Sequence, residues 1–515
     1  MDADKRTNRY IAKNAILNIA FTILLQGVVF VRGLIVPKLI ISTYGSDVNG
    51  LISSITQFLS YITLLEAGVA SIFKACLYKP LAEDDIGKVS GIVNEEKRFY
   101  RKLGFIFLAY MAILCVTYPF FAKTEMSKLY IVSFILILSV STLSEYFISL
   151  PYTALLSADQ NARINGAVSI IYNVVNIGVV FFWVWLKADV RFIYLSMCVI
   201  GLLRPLFYWL YVRKKYKLIK DAKPDSTALS QRWNGVVHHI AYYVHRNTDV
   251  AILTICLGTA MVSVYGVHSA IIMGIEGVVA SISSGADAGM GAILATGDEK
   301  RINKAVDVFE FTQCSVATVL FSITALMIVP FVRLYTADVT DVNYIYPAFA
   351  YTFIAAETIY CFRCAYSTVS TSANKFKETQ LGAILEAVVN LALSLILVLT
   401  TDMGLLGVAI GTLAGMFTRY AAEVIFLSKN VINRPILKAV KMLGANVLVA
   451  GVSIGGCMLL LDYDSIDSVG SWIVYALISS AAVGLVALLV YLAFYHSIII
   501  PGFKRAFDKL RRKGG

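Results

Sequence analysis

Charge is what this sequence has least of. Asp, Glu, Lys and Arg make up 15% of its 515 residues, against about 25% in soluble domains, which excludes a soluble globular protein. A phosphate-binding loop of the Gly-x4-Gly-Lys-Ser/Thr type is absent, so an ATP-driven pump would need a partner to supply the ATPase. The eight cysteines lie almost all within apolar segments and form no disulfide framework. The one CxxC, CFRC at 361–364, has no second ligand pair, and neither a metal nor another cofactor is expected. The longest hydrophilic segments, 74–102 and 214–233, are too short to fold as a separate catalytic domain. No catalytic residues are assigned, and the chain is not read as an enzyme.

What fills the chain instead is apolar sequence, 58% of all residues. Runs of about 20 apolar residues are each long enough to cross a bilayer. The reading gives about fourteen: 15–36, 48–73, 103–122, 128–157, 164–186, 191–212, 236–257, 262–290, 306–332, 344–371, 381–400, 404–428, 441–461 and 471–496. With the N-terminus inside, only Lys38, Lys123, Lys128, Lys187, Arg191 and Arg333 fall outside the membrane. Most other basic residues fall at cytoplasmic ends and loops, so the net charge of +12 sets topology and does not indicate nucleic acid. Both termini are expected in the cytoplasm. The first span has a basic flank and is long enough to stay as an anchor.

The second half echoes the first. EAGVASI at 66–72 is matched by EGVVASI at 276–282. Arg32 precedes Gly45 by thirteen residues, and Arg246 precedes Gly258 by twelve. An offset of 210–216 residues fits two lobes of six spans, inserted the same way round as in transporters with parallel repeats. The expected organisation is an N-terminal lobe at 1–213, a cytoplasmic linker at 214–235, a C-terminal lobe at 236–428, and two additional spans with a basic tail at 429–515.

YGSDVNGLISSITQFLSYITLLEAGVASIF (44–73), LYKPLAEDDIGKVSGIV (77–93), LLSADQNARI (155–164) and NTDVAILTICLGTAMVSVYGVHSAI (247–271) occur in order along the chain. Together they resemble the signatures of bacterial polysaccharide exporters of the multidrug/oligosaccharidyl-lipid/polysaccharide exporter superfamily. The resemblance implies an all-α polytopic inner-membrane protein, two parallel six-helix lobes around a central cavity plus two C-terminal helices. It also implies a function: flipping an undecaprenyl-linked oligosaccharide to the outer leaflet, by alternating access, for cell-surface polysaccharide. Polysaccharide polymerases or glycosyltransferases would be the protein partners.

Five arginines lie inside spans: Arg32, Arg204, Arg246, Arg363 and Arg419. Each costs at least about 2.5–3.5 kcal/mol there unless water or a partner is present. A lipid-linked oligosaccharide gives a reason for them, because a guanidinium fork bonds two phosphate oxygens of a pyrophosphate at once. Arg32, Arg204, Arg246 and Arg363 are the candidate substrate ligands. Arg246 has Asp249 one turn on, so a static bridge and a substrate-exchangeable pair are both open. Arg32 either lines the cavity, facing Arg246, or snorkels to the outer surface. Arg363 has Glu357 six residues back, and Arg419 pairs best with Glu423, four residues on. Glu145 has no base in register. Glu66 and Glu276, at matching repeat positions, and Asp249 are the candidates for ion coupling. A multidrug or small-cation antiporter of the same fold is the nearest alternative, but its site would carry excess carboxylate. A membrane-embedded polymerase or ligase would need a sizeable outer loop bearing catalytic groups.

Overall fold

Hydrocarbon offers a backbone amide no water to bond, so an apolar run must satisfy its own N–H and C=O groups, and a helix does this within one segment. The structure, a computed structural model, describes residues 2–66, 69–219, 222–223, 243, 247–375 and 377–511. Every regular element among them is helical. In chain order these are α1 (Asp2–Tyr44), α2 (Ser46–Ser60), α3 (Val69–Ala82), α4 (Ile86–Phe121), α5 (Lys128–Ser144), α6 (Leu150–Ala158), α7 (Ala162–Trp185) and α8 (Val190–Tyr216). There follow α9 (Asn247–Leu257), α10 (Thr259–Leu294), α11 (Glu299–Tyr335), α12 (Pro347–Ser372), α13 (Gln380–Thr400), α14 (Leu405–Asn430), α15 (Leu437–Leu460) and α16 (Val469–Arg511).

Twelve helices among the described residues are long and apolar enough to cross a membrane, two fewer than the fourteen runs read from the sequence. The two that fall short have identifiable reasons. Of the run at 236–257 only α9, an eleven-residue piece, is described as helix. The run at 344–371 is α12, which has 26 residues but carries Glu357, Arg363 and many Tyr, Thr and Ser side chains.

The chain divides into two compact units, Met1–Gly266 and Val267–Gly515. In the first, α1 packs along α7, and α4, α5 and α8 pack together. One of its cores includes Ile40, Leu51, Ile55, Tyr100, Phe107, Tyr118 and Phe134. α2 also lies against α9 and the start of α10. The Ser54 and Thr254 hydroxyls are 2.6 Å apart, Asn49 Nδ2 donates to Ser263 Oγ at 2.8 Å, and the Thr259 hydroxyl donates to Asp47. The breaks that end α1 and α9 share one backbone geometry. Gly45 has φ 92° and ψ 165°, and Gly258 has φ 102° and ψ 164°, a conformation that glycine adopts without the steric cost a Cβ would add. These are the two glycines that the sequence repeat aligns.

In the second unit, α14 is packed against both α12 and α13. Gly407, Gly411 and Gly415 recur at four-residue spacing on α14 and set its backbone against α13. A Cβ on Gly411 would lie 2.1 Å from Ser394 Oγ and 2.7 Å from the Ser394 amide. Small residues of this kind let membrane helices approach closely enough for van der Waals packing to hold them.

The same three helices enclose a chain of four charges. Arg419 on α14 reaches Glu386 on α13 at 2.6 Å and Glu423 at 3.0 Å, and Glu423 is 3.5 Å from Arg363 on α12. Ser367 closes the group, accepting from Arg363 at 2.9 Å and donating to Glu423 at 2.7 Å. All four charged side chains are at most 8% exposed. Two cations and two anions thus balance in a dry setting. Removing one partner from such a group costs about 3–5 kcal/mol, because it strands a buried charge. Arg419→Met is therefore expected to lower the unfolding midpoint of the purified protein sharply. Arg419→Met combined with Glu386→Gln should recover much of the loss, which thermal unfolding in detergent will show.

Candidate functional site

Charges that are neither sealed nor on the surface occur in the first unit, around a local distortion of the α5–α6 span. After Ser144 the helix widens into a π turn, Glu145–Ser149, closed by the Leu150 amide donating to the Glu145 carbonyl. Pro151 follows directly and has no N–H to continue the regular ladder. Single π turns of this kind often mark functional positions in helices.

Arg204 of α8 meets Glu145 there, Nη1 to Oε1 at 3.3 Å, with side chains 26% and 37% exposed. Its guanidinium carbon also lies 4.8 Å from the centre of the Tyr172 ring on α7. Arg32 of α1 approaches the same ring, at 5.9 Å, and its Nη1 donates to Asn173 Oδ1 at 2.9 Å. Two guanidinium groups from different helices thus share one aromatic ring, whose quadrupole attracts a cation. One carboxylate, Glu145, is in direct contact with Arg204 of the pair. Next to it in the chain, the Tyr146 hydroxyl donates to Glu66, which lies just past the short helical turn Tyr61–Leu65 that extends α2. The cluster therefore draws on α1, α2, α7, α8 and the π turn.

The remaining candidates lie elsewhere. Arg246 and His245 are outside the described residues, so the expected arrangement of Arg246 facing Arg32 is too. Asp249 on α9 is 2% exposed and accepts from the Tyr265 hydroxyl at 3.1 Å. Glu276 is buried within α10. Arg363 sits in the enclosed four-charge group, paired with Glu423 and not with Glu357. Among the described residues no three His, Cys, Asp or Glu side chains gather as metal ligands.

Sequence reasoning missed three members of the cluster. Tyr172 and Asn173 carry no charge and so gave no signal in an apolar helix. Glu145 is 59 residues from Arg204, and spacing along a single helix cannot reveal that partner. A proline six residues beyond a lone intramembrane glutamate was the one available hint of a distorted turn.

The second unit contributes a feature of opposite character. A cavity of about 790 Å³ is bounded by α11, α12, α14 and α15, with walls that include Phe321, Ile354, Ile359, Phe417, Val447 and Met458. Apart from a few hydroxyls and Asn446, it is lined with hydrocarbon.

No protein-family model matches the sequence, and no curated protein matches it. Solved structures do. A structure described as the lipid II flippase MurJ in an inward closed conformation superposes with a TM-score of 0.68 at 15% identity, over 93% of this chain and 100% of its own. An inward-facing multidrug resistance MATE family transporter of the MOP superfamily gives a TM-score of 0.62 at 14% identity, over 81% of this chain and 98% of its own. A MOP superfamily transporter from Pyrococcus furiosus, described as having a binding pocket of reverse polarity, gives 0.54 at 13%, over 81% and 96%. The chain is an all-α, multi-pass membrane protein with the fold of the MOP superfamily transporters.

Proposed function

We propose that the protein moves a polyprenyl-pyrophosphate-linked oligosaccharide from the cytoplasmic to the outer leaflet of a bacterial inner membrane, by alternating access, for cell-surface polysaccharide synthesis. The observation that carries this reading is the pair of half-buried guanidinium groups, Arg32 and Arg204, held on one tyrosine, with Glu145 in contact with Arg204. A site for a cationic drug would need carboxylates in excess of arginines, and in this cluster Glu145 and Glu66 only equal them. A pyrophosphate arriving at the cluster would compete with Glu145 for Arg204 and take the free faces of both arginine forks. The wider coverage of the chain by the flippase than by the MATE transporter, 93% against 81%, supports the same branch.

In this reading the chain is divided as the repeat suggests, with lobes at 1–213 and 236–428, and both termini are cytoplasmic. Arg246 serves as the second lobe's counterpart of Arg32. Arg363, enclosed with Glu423, holds α12 to α14 and does not reach substrate. Glu66, Asp249 and Glu276 are the groups through which an ion gradient acts, and a polysaccharide polymerase consumes the product outside.

Loss of a charge-assisted hydrogen bond costs about 1.5–3 kcal/mol, or roughly ten- to a hundredfold in affinity. Arg204→Ala and Arg32→Ala should therefore lower surface glycan at least about tenfold while the protein stays in the membrane at normal levels. Arg204→Lys should restore only part, because a point charge lacks the bidentate fork. Immunoblots of membranes beside quantified surface polysaccharide check both. For coupling, one charge moved through 100 mV is worth about 2.3 kcal/mol. Collapsing the proton or sodium gradient with ATP kept high should accordingly stall export severalfold, and Glu66→Gln should remove that sensitivity.

A further inference from the structure

Outside the cluster and the apolar cavity, one more constellation has no role in the proposed transport. At the end of the second unit where α11 begins, α15 begins and α16 bends, two adjoining cavities of about 640 and 580 Å³ share Asp307, Arg434 and Lys438 in their walls. Arg434 lies in the short segment joining α14 to α15, where a sequence reading counts it as a topology-setting loop charge. Its side chain is instead 2% exposed, pairing with Asp307 at 2.8 Å and Glu310 at 2.6 Å and donating to the Tyr366 hydroxyl at 3.2 Å. Lys438 takes the second Asp307 oxygen at 2.7 Å. Both carboxylates of the cavities are thereby neutralised.

Three cations are left over. Lys300 and Lys304 on α11 and Lys441 on α15 are exposed at the cavity walls. None of them makes an ion pair with a carboxylate among the described residues. Arg434 Nε is buried in the same wall and has no hydrogen-bond partner. The facing wall is apolar and includes Leu448, Phe494 and Ile498. Phe494 is 63% exposed, just before α16 leaves helical geometry at Tyr495 (φ −132°, ψ 26°). The rule that places lysines at cytoplasmic ends explains their presence at this end of the unit. It does not explain their grouping around cavities that have an apolar wall on the other side. An anionic head joined to hydrocarbon matches both halves, and basic pockets between membrane helices bind such headgroups.

We propose that these cavities hold an anionic phospholipid of the bilayer, its phosphate among Lys300, Lys304 and Lys441 and an acyl chain along Phe494 and Ile498. The occupant is a resident lipid that fastens α15 and α16 to α11, separate from any transported substrate.

The test uses the full-length purified protein in phosphatidylcholine nanodiscs, with phosphatidylglycerol added at increasing mole fraction and the unfolding midpoint recorded. Phosphatidylglycerol should raise the midpoint above that in phosphatidylcholine alone, and free glycerol phosphate at matched concentration should not. Lys300→Gln, Lys304→Gln and Lys441→Gln combined should keep the phosphatidylcholine midpoint and lose most of the rise. Lys441→Glu alone, a single change at an exposed position, should at least halve it and serves if the triple variant folds poorly. Native mass spectrometry of the wild type should retain more phosphatidylglycerol than either variant does. Equal midpoints in the two lipids, a full rise in Lys441→Glu, or a rise reproduced by free glycerol phosphate would overturn the proposal.

Discussion

A charged side chain within the hydrocarbon layer must find either a partner or water, and the placement of every intramembrane arginine described here follows from that one constraint. In the second unit the answer is a partner. Arg363 and Arg419 are closed in with Glu386 and Glu423, each at most 8% exposed, across three helices, two of which, α13 and α14, are brought close by the glycines of α14. In the first unit the answer is mixed. Arg204 has Glu145, but both remain roughly a quarter to a third open, and Arg32 bonds an amide oxygen and lies against a ring, with no carboxylate paired to it among the described residues. Removing a fully paired group from the chain costs stability, whereas a partly paired one has coordination to offer an incoming anion. That difference separates the charges that hold the fold from those with coordination left to offer.

Much of the fold was legible because the membrane imposes length and apolarity together, so the spans could be read directly. Of the two runs that fell short of the structural count, the one at 344–371 is informative. α12 gives up hydropathy to accommodate Glu357, Arg363 and its hydroxyls, and hydroxyls and charges are what a helix needs when it packs against protein instead of lipid. Gly45 and Gly258, aligned by a short repeat in the sequence, adopt the same backbone conformation where α1 and α9 end. The Arg419–Glu423 pair was also legible, since four residues place both on one helix face.

The site was legible only in part, because pairing between helices leaves no trace in spacing. Arg363 looked toward Glu357 in sequence and found Glu423 in space, 60 residues on. Glu145 looked like a lone acid until the π turn brought it to Arg204. Arg434 looked like a loop charge and is one of the most enclosed cations described. Tyr172 and Asn173, which orient the two arginines, are polar positions with no charge to announce them. Reading such partners requires knowing which helices are neighbours, and hydropathy does not carry that information.

A lipid-linked oligosaccharide presents an anionic pyrophosphate, a hydroxyl-rich head and a hydrocarbon tail, and burying even one unpaired hydroxyl in hydrocarbon costs several kcal/mol. In the proposed function the partly open arginine pair answers the first of these chemistries. The most direct measurement is therefore transport by the purified protein in lipid vesicles, scored side by side for a fluorescent polyprenyl-pyrophosphate oligosaccharide and a fluorescent organic cation. Under the proposed function the lipid-linked sugar crosses leaflets far faster than in protein-free vesicles, while the cation stays where it is loaded. Cation movement without any acceleration of the lipid-linked sugar would contradict it.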